Sequence, residues 1–185
     1  VNKDKTDRIH MAEAYNLRGP WNLLPPLPLF RTGSRWTGFN DPSMVCVYPG
    51  AWIMAATGIK NPSITGQSID DSGRIVMSRS LDGMNWSEPT EAAIHTPLGT
   101  TVTTANRPAL LLDRDSGELS MMFDGVVDGV RGAYLLRESS AKTFGHFDLI
   151  GMIHLRREEW YDLDRLNKNK ILFRQNTDPA FPWVI

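Results

Sequence analysis

Three short phrases hold the residues best placed to do chemistry: Asn40-Asp41-Pro42-Ser43, Asn106-Arg107-Pro108-Ala109, and Asn176-Thr177-Asp178-Pro179-Ala180. Read from residue type alone, Asp41 before Pro42 is an Asx-type turn former. Arg107 carries a planar fork of donors that suits a carboxylate or phosphate, or an ion pair to a neighbouring segment. Asp178 is a second carboxylate, or simply a residue of a terminal loop. The rest of the reactive inventory is thin. The histidines at 10, 95, 146 and 154 share no short metal-ligand spacing, so no zinc and no other cofactor is expected. Cys46 is the only cysteine and sits in the apolar run Met44-Val45-Cys46-Val47, which predicts a buried thiol. Asp113-Arg114-Asp115-Ser116-Gly117-Glu118 is too short for a calcium loop and reads as a hairpin turn. No Gly-rich phosphate cradle is present, which leaves nucleotide chemistry without a foothold.

The elements that must position these residues recur along the chain. The first two phrases lie 66 residues apart, counted from 40 to 106, and each opens a mainly apolar run. A turn follows each run: Tyr48-Pro49-Gly50 in one copy, Arg114-Asp115-Ser116-Gly117 in the other. A second apolar run comes next, Ala51 to Ala56 and Leu119 to Phe123, so each copy predicts a β-hairpin. A third run, Arg74 to Ser80 and Ala133 to Ser139, leads through a turn to an aromatic residue, Trp86 or Phe144, that begins a fourth strand. The N-terminal Arg8-Ile9-His10-Met11-Ala12-Glu13-Ala14, followed by Trp21, resembles the third run and its aromatic.

Four strands per repeat in fixed order favour a β-propeller over a sandwich. The expectation is an all-β chain of about two and a half to three blades within a single, partial propeller domain 1–185. Residues 1–32 are a half blade, 33–99 and 100–154 are blades, and 155–185 are a connector and the start of another. The charged stretch from Leu155 to Lys170 breaks the strand rhythm and is the one expected helix. Because propellers close with about 4–8 blades, the remainder is expected from further sequence, from copies of this chain as a homo-oligomer, or from a second chain. Exposed blade edges invite such pairing.

Composition bounds the partners. The chain has 185 residues, with 20 Lys and Arg against 21 Asp and Glu. That balance lacks the basic surface that nucleic acid binding requires. The longest apolar stretch, Met44 to Ile59, is broken by Pro49 and Gly50, so no membrane span is expected. The opening residues are too polar for a signal peptide.

Ser80-Leu81-Asp82-Gly83-Met84-Asn85-Trp86 resembles the S-x-D-G-x-x-W turn of sialidase-like and other glycosidase propellers. There the Asp fixes the turn backbone, the Gly permits positive φ and the Trp covers the hairpin base. Asn40-Asp41-Pro42-Ser43 resembles the start of the five-bladed furanosidase-like propellers, glycoside hydrolase families 43, 32 and 68. Gly19-Pro20-Trp21 is similar to a family 43 phrase. The resemblance implies a five-bladed glycoside hydrolase in which Asp41, projecting into a central funnel, is the general base of an inverting enzyme or the nucleophile of a retaining one. Such a site needs a second carboxylate to protonate the leaving group. Asp178 is the candidate, since Arg107 stands where the family has a second Asp, and Glu13, Glu138, Glu158 and Glu159 match no acid motif.

The resemblance also implies carbohydrate binding by Asn40, Asn106 and Arg107. Trp36, Trp52, Trp160 and Trp183 are possible stacking platforms, Trp36 at the funnel rim and Trp52 in the core. A non-catalytic glycan-binding or assembly subunit is the alternative function. An extracellular or periplasmic setting follows from the resemblance alone.

Overall fold

The computed structural model describes residues 9–16, 18–27, 36–60, 73–140, 143–153, 171–173 and 182–184. Every regular element among them is a strand. β1 (His10–Glu13) and β2 (Asn22–Pro26) form an antiparallel hairpin. β3 (Trp36–Tyr48), β4 (Ala51–Lys60), β5 (Gly73–Ser80) and β6 (Thr90–Glu91) form a four-stranded antiparallel sheet in that order. The second sheet contains β7 (Ala93–His95), β8 (Val102–Leu112), β9 (Leu119–Val127), β10 (Val130–Glu138) and β11 (His146–Met152), ordered β7-β11-β10-β9-β8. β12 (Ile171–Phe173) pairs with β13 (Pro182–Val184). The helix expected over 155–170 lies outside the described residues.

Each large sheet is a meander whose first strand forms one edge, and the edges β3 and β8 lie against each other. β7 leaves the first sheet and runs parallel to β11 at the outer edge of the second, although it precedes residue 100. That parallel pairing ties the two sheets together through the backbone. This is an all-β arrangement, and among the described residues no helix is long and apolar enough to cross a membrane.

Strand alternation explains why the first sheet is apolar on both faces. Met54, Ala56 and Val76 point to one side and pack with Ile9, Leu27, Trp36 and Phe39. Ala55, Ile75 and Met77 point to the other and meet Leu110, Met121, Phe123, Tyr134, Leu136 and Phe147 of the second sheet. Burying side chains of this size stabilises by about 1.5–3 kcal/mol each. The inter-sheet core therefore fixes where β3 and β8 stand relative to one another.

The turn after β5 is closed by its own side chains. Asp82 Oδ1 accepts from the backbone N–H groups of Met84 at 2.8 Å and Asn85 at 2.7 Å, and Oδ2 accepts from Asn85 Nδ2 at 2.7 Å. Ser80 Oγ donates to Asp82 Oδ1 and accepts from Gly83 N, while Trp86 Nε1 donates to Gly83 O. These donors hold the Asp82 carboxyl far below the usual carboxylate range, the Asn85 backbone N–H foremost. Asp82 is thus occupied with its turn. Cys46 is half-buried rather than buried, its Sγ donating to Tyr48 O at 3.2 Å, because the end of β3 is an exposed sheet edge.

Candidate functional site

The two Asn-x-Pro phrases form the same backbone device. Along β3 the chain takes three steps from Asn40 to Ser43 while β4 takes two, from Thr57 to Ala55. Along β8 it takes three from Asn106 to Ala109 while β9 takes two, from Asp124 to Met122. Each phrase therefore inserts one extra residue, a β-bulge, and the residue before each proline is left-handed: Asp41 and Arg107 both have φ of 51°. That region is uncommon for any residue with a Cβ, and a proline on the C-terminal side restricts it further. Proline itself fits here, since an edge-strand bulge does not need its N–H. A bulge re-aims the side chain it carries, and here it does so at one place on two adjoining edge strands.

Thr57 joins the bulges. The backbone N–H of Arg107 donates to Thr57 Oγ1 at 2.7 Å, and Thr57 Oγ1 donates to Asp41 Oδ2 at 3.3 Å. The Leu110 N–H donates to Ser43 Oγ at 2.9 Å one step further along. On the other flank, Arg107 Nη1 lies 3.1 Å from Asp124 Oδ2, which Arg131 Nη2 also approaches at 3.4 Å. The Asp124 side chain is 4% exposed and that of Arg131 is 62% exposed. Both guanidinium groups converge on one oxygen, and buried Oδ1 has no hydrogen-bond partner among the described residues. Asn106 Oδ1 sits so close to Gly73 that a Cβ there would overlap it, which makes the start of β5 a wall of the site.

Asn40, Asp41, Asn106 and Arg107 thus fall on matching bulges of adjoining strands. Trp36 is 5% exposed, tilted against Phe39 with their centroids 6.2 Å apart. Its indole fills the core beside Gly58 instead of standing open at a rim. Asp178 and Trp160 lie outside the described residues, and Trp183 falls on β13. Trp52, expected in the core, is half-buried and lines a cleft of about 620 Å³ with Tyr48, Arg79, Leu81 and Phe144. That cleft lies at the turn end of β3, seven residues along from Asp41.

Sequence reasoning missed Thr57, Asp124 and Arg131. A signal existed for the second: Asp124 interrupts Met121-Met122-Phe123 and Val126-Val127, and an acid inside such a run needs a partner. Thr57-Gly58 and Asp124-Gly125 also recur 67 residues apart, at matching places in the two copies. His95 and His146 meet across β7 and β11, with Nε2 and Nδ1 3.1 Å apart. Among the described residues no three His, Cys, Asp or Glu side chains converge to hold a metal.

No protein-family model matches the chain, and a search of curated proteins finds no similar sequence. Solved structures do match. An N-acetylgalactosamine deacetylase from F. plautii, in complex with blood group B trisaccharide, aligns at a TM-score of 0.50 with 12% identity, over 85% of this chain and 41% of that one. A family 117 glycoside hydrolase from Zobellia galactanivorans aligns at 0.48 with 13% identity, over 86% and 49%. An exo-β-1,3-galactanase from Phanerochaete chrysosporium aligns at 0.44 with 14% identity, over 78% and 33%. The chain therefore spans less than half the length of each of these structures. At such identities the likeness is one of fold alone.

Proposed function

We propose that this chain is part of a carbohydrate-active propeller that hydrolyses a glycosidic bond, with Asp41 as general base or nucleophile. The observation that carries the reading is the pair of matching bulges, which places the Asp41 carboxylate on one edge strand directly beside the other. As a base, Asp41 takes the proton of a water whose oxygen attacks the anomeric carbon. As a nucleophile, its own oxygen makes that bond, and water later cleaves the ester. In either case the leaving oxygen takes its proton from a second, protonated carboxylic acid, the role assigned here to Asp178. Asn40, Asn106 and Arg107 bind sugar hydroxyls. A five-bladed ring, with blades divided at residues 33, 100 and 155, completes the reading, its other blades supplied by further sequence, a copy or a partner chain.

The test is turnover of a panel of aryl glycosides and plant, algal and host glycans by the native protein and by Asp41→Asn. Loss of about 10²–10⁴-fold is expected, the range for removal of a positioned base. Unchanged turnover would remove Asp41 from the chemistry. The second reading, a non-catalytic glycan-binding or assembly subunit, is favoured by Arg107: it pairs with buried Asp124 where another free carboxylate would serve catalysis. Sugar binding without any product release would establish it.

A further inference from the structure

Thr57 occupies a position between the two bulges where one group must both accept and donate a hydrogen bond. Its Oγ1 lies 2.7 Å from the Arg107 backbone nitrogen and 3.3 Å from Asp41 Oδ2, and the residue is 5% exposed. A backbone N–H can only donate, so Arg107 occupies a lone pair of the hydroxyl and leaves the hydroxyl's single proton for the carboxylate. An apolar side chain makes neither bond. An ionised carboxylate, which Asp124 supplies at the matching place of the second copy, accepts from an N–H but has no proton to give. β-branching adds stiffness, since threonine has few χ1 states available within a strand.

We infer that Thr57 is a positioning residue for Asp41: its hydroxyl orients the Asp41 carboxylate, and the Arg107 N–H orients the hydroxyl. The inference rests on the reading of Asp41 as base or nucleophile. At 3.3 Å the contact is long for O–H···O, a length compatible with a catalytic hydrogen bond before substrate binds. The arrangement also makes the competence of the base depend on the second blade, because the N–H that fixes the hydroxyl belongs to β8.

Thr57→Val removes the hydroxyl at nearly constant shape, and Thr57→Ser keeps it. Three measurements on the native protein and both variants decide the matter: thermal unfolding, kcat and KM on a glycoside the native protein cleaves, and the carbon-13 resonance of the Asp41 carboxyl at neutral pH. Thr57→Val is expected to lower kcat by about tenfold or more with KM within about twofold. It should also move the carboxyl resonance, with Thr57→Ser restoring both. A valine variant indistinguishable from the native protein, or a serine variant that fails like the valine one, overturns the inference. If Thr57→Val does not fold, the native protein still answers: exchange of the hydroxyl proton for deuterium must shift the Asp41 carboxyl carbon, and no shift overturns the inference. A native protein that cleaves no glycoside overturns the catalytic reading instead, while the carboxyl resonance still decides whether Thr57 holds Asp41.

Discussion

The bulge of β3 and the bulge of β8 share a backbone, an asparagine and a proline, and differ in the side chain between them and in what holds it. Both insert one residue, both place the residue before proline at φ 51°, and both follow an asparagine paired to a residue that precedes a glycine on the next strand, Thr57 or Asp124. One presents a carboxylate held by a neutral hydroxyl; the other presents a guanidinium held by a buried carboxylate. Backbone identity across two copies of differing side chains says that the bulge serves the packing of the strands. The side chains are where the two copies diverge in role.

The comparison breaks most visibly at its charged member. Asp124→Ala would leave Arg107 and Arg131 without the carboxylate they share, in a place where 4% exposure gives little solvent to replace it. A loss of about 3 kcal/mol in unfolding free energy is expected, measured by denaturant titration. Arg131→Gln, on a side chain 62% exposed, should cost no more than about 1 kcal/mol in the same titration. Equal losses would mean that the exposed arginine, and not the bulge arginine, is the true partner.

The glycines beside these residues sharpen the contrast at the level of packing. Gly125 follows Asp124, and a Cβ there would run into the Thr104 carbonyl, which is backbone and cannot swing away. Gly58 follows Thr57, and a Cβ there would meet Val76 Cγ1 at 2.7 Å and Trp36 Cε3 at 2.9 Å, both side-chain atoms. Gly125→Ala should therefore destabilise by about 2 kcal/mol or more, and Gly58→Ala by about 1 kcal/mol less. Differential scanning calorimetry of the pair tests the ordering. A reversal would mean that the second sheet is the more pliable of the two.

The strand repeat was legible because turn chemistry and apolar runs are local properties, written at Pro49-Gly50 and again at Ser116-Gly117. Asp41 and Arg107 were legible as a pair because their proline neighbours recur. Their left-handed backbone was not, since nothing in the residue types Asp and Arg distinguishes a bulge from an Asx turn before proline. Thr57 and Asp124 were hidden for another reason: each acts across a strand pairing, Thr57 on residues 16 and 50 positions away, and register is set by the whole core. Trp36 went the other way. Its position just before the Asp41 phrase suggested a rim, yet Gly58 opens a space in β4 that draws the indole inward. The Trp52 side chain, expected in the core, is half-buried on the Met54 and Ala56 face at the turn end of the same sheet, where it lines the cleft.

The smallest effects belong to the turns, and they differ in the same graded way as the bulges. Asp82 is held by two backbone N–H groups, the Asn85 amide and the Ser80 hydroxyl; Asp113 accepts chiefly from the N–H groups of Asp115 and Ser116, at 2.8 and 3.2 Å, with the Ser116 side chain contributing least. Both carboxyls lie below the ordinary carboxylate range for that reason. A carboxyl depressed in the folded state contributes stability that is present above its unfolded pKa, near 3.9, and is lost as pH falls toward the folded value. Between about pH 4 and pH 2 the native protein should therefore lose stability steadily. Asp82→Asn should flatten that decline more than Asp113→Asn, since Asp82 has the larger set of donors to surrender on protonation. Unfolding midpoints measured across this window test the ranking. If the two variants flatten the decline equally, the side-chain donors Asn85 and Ser80 add nothing beyond the backbone, and the two turns are energetically one device.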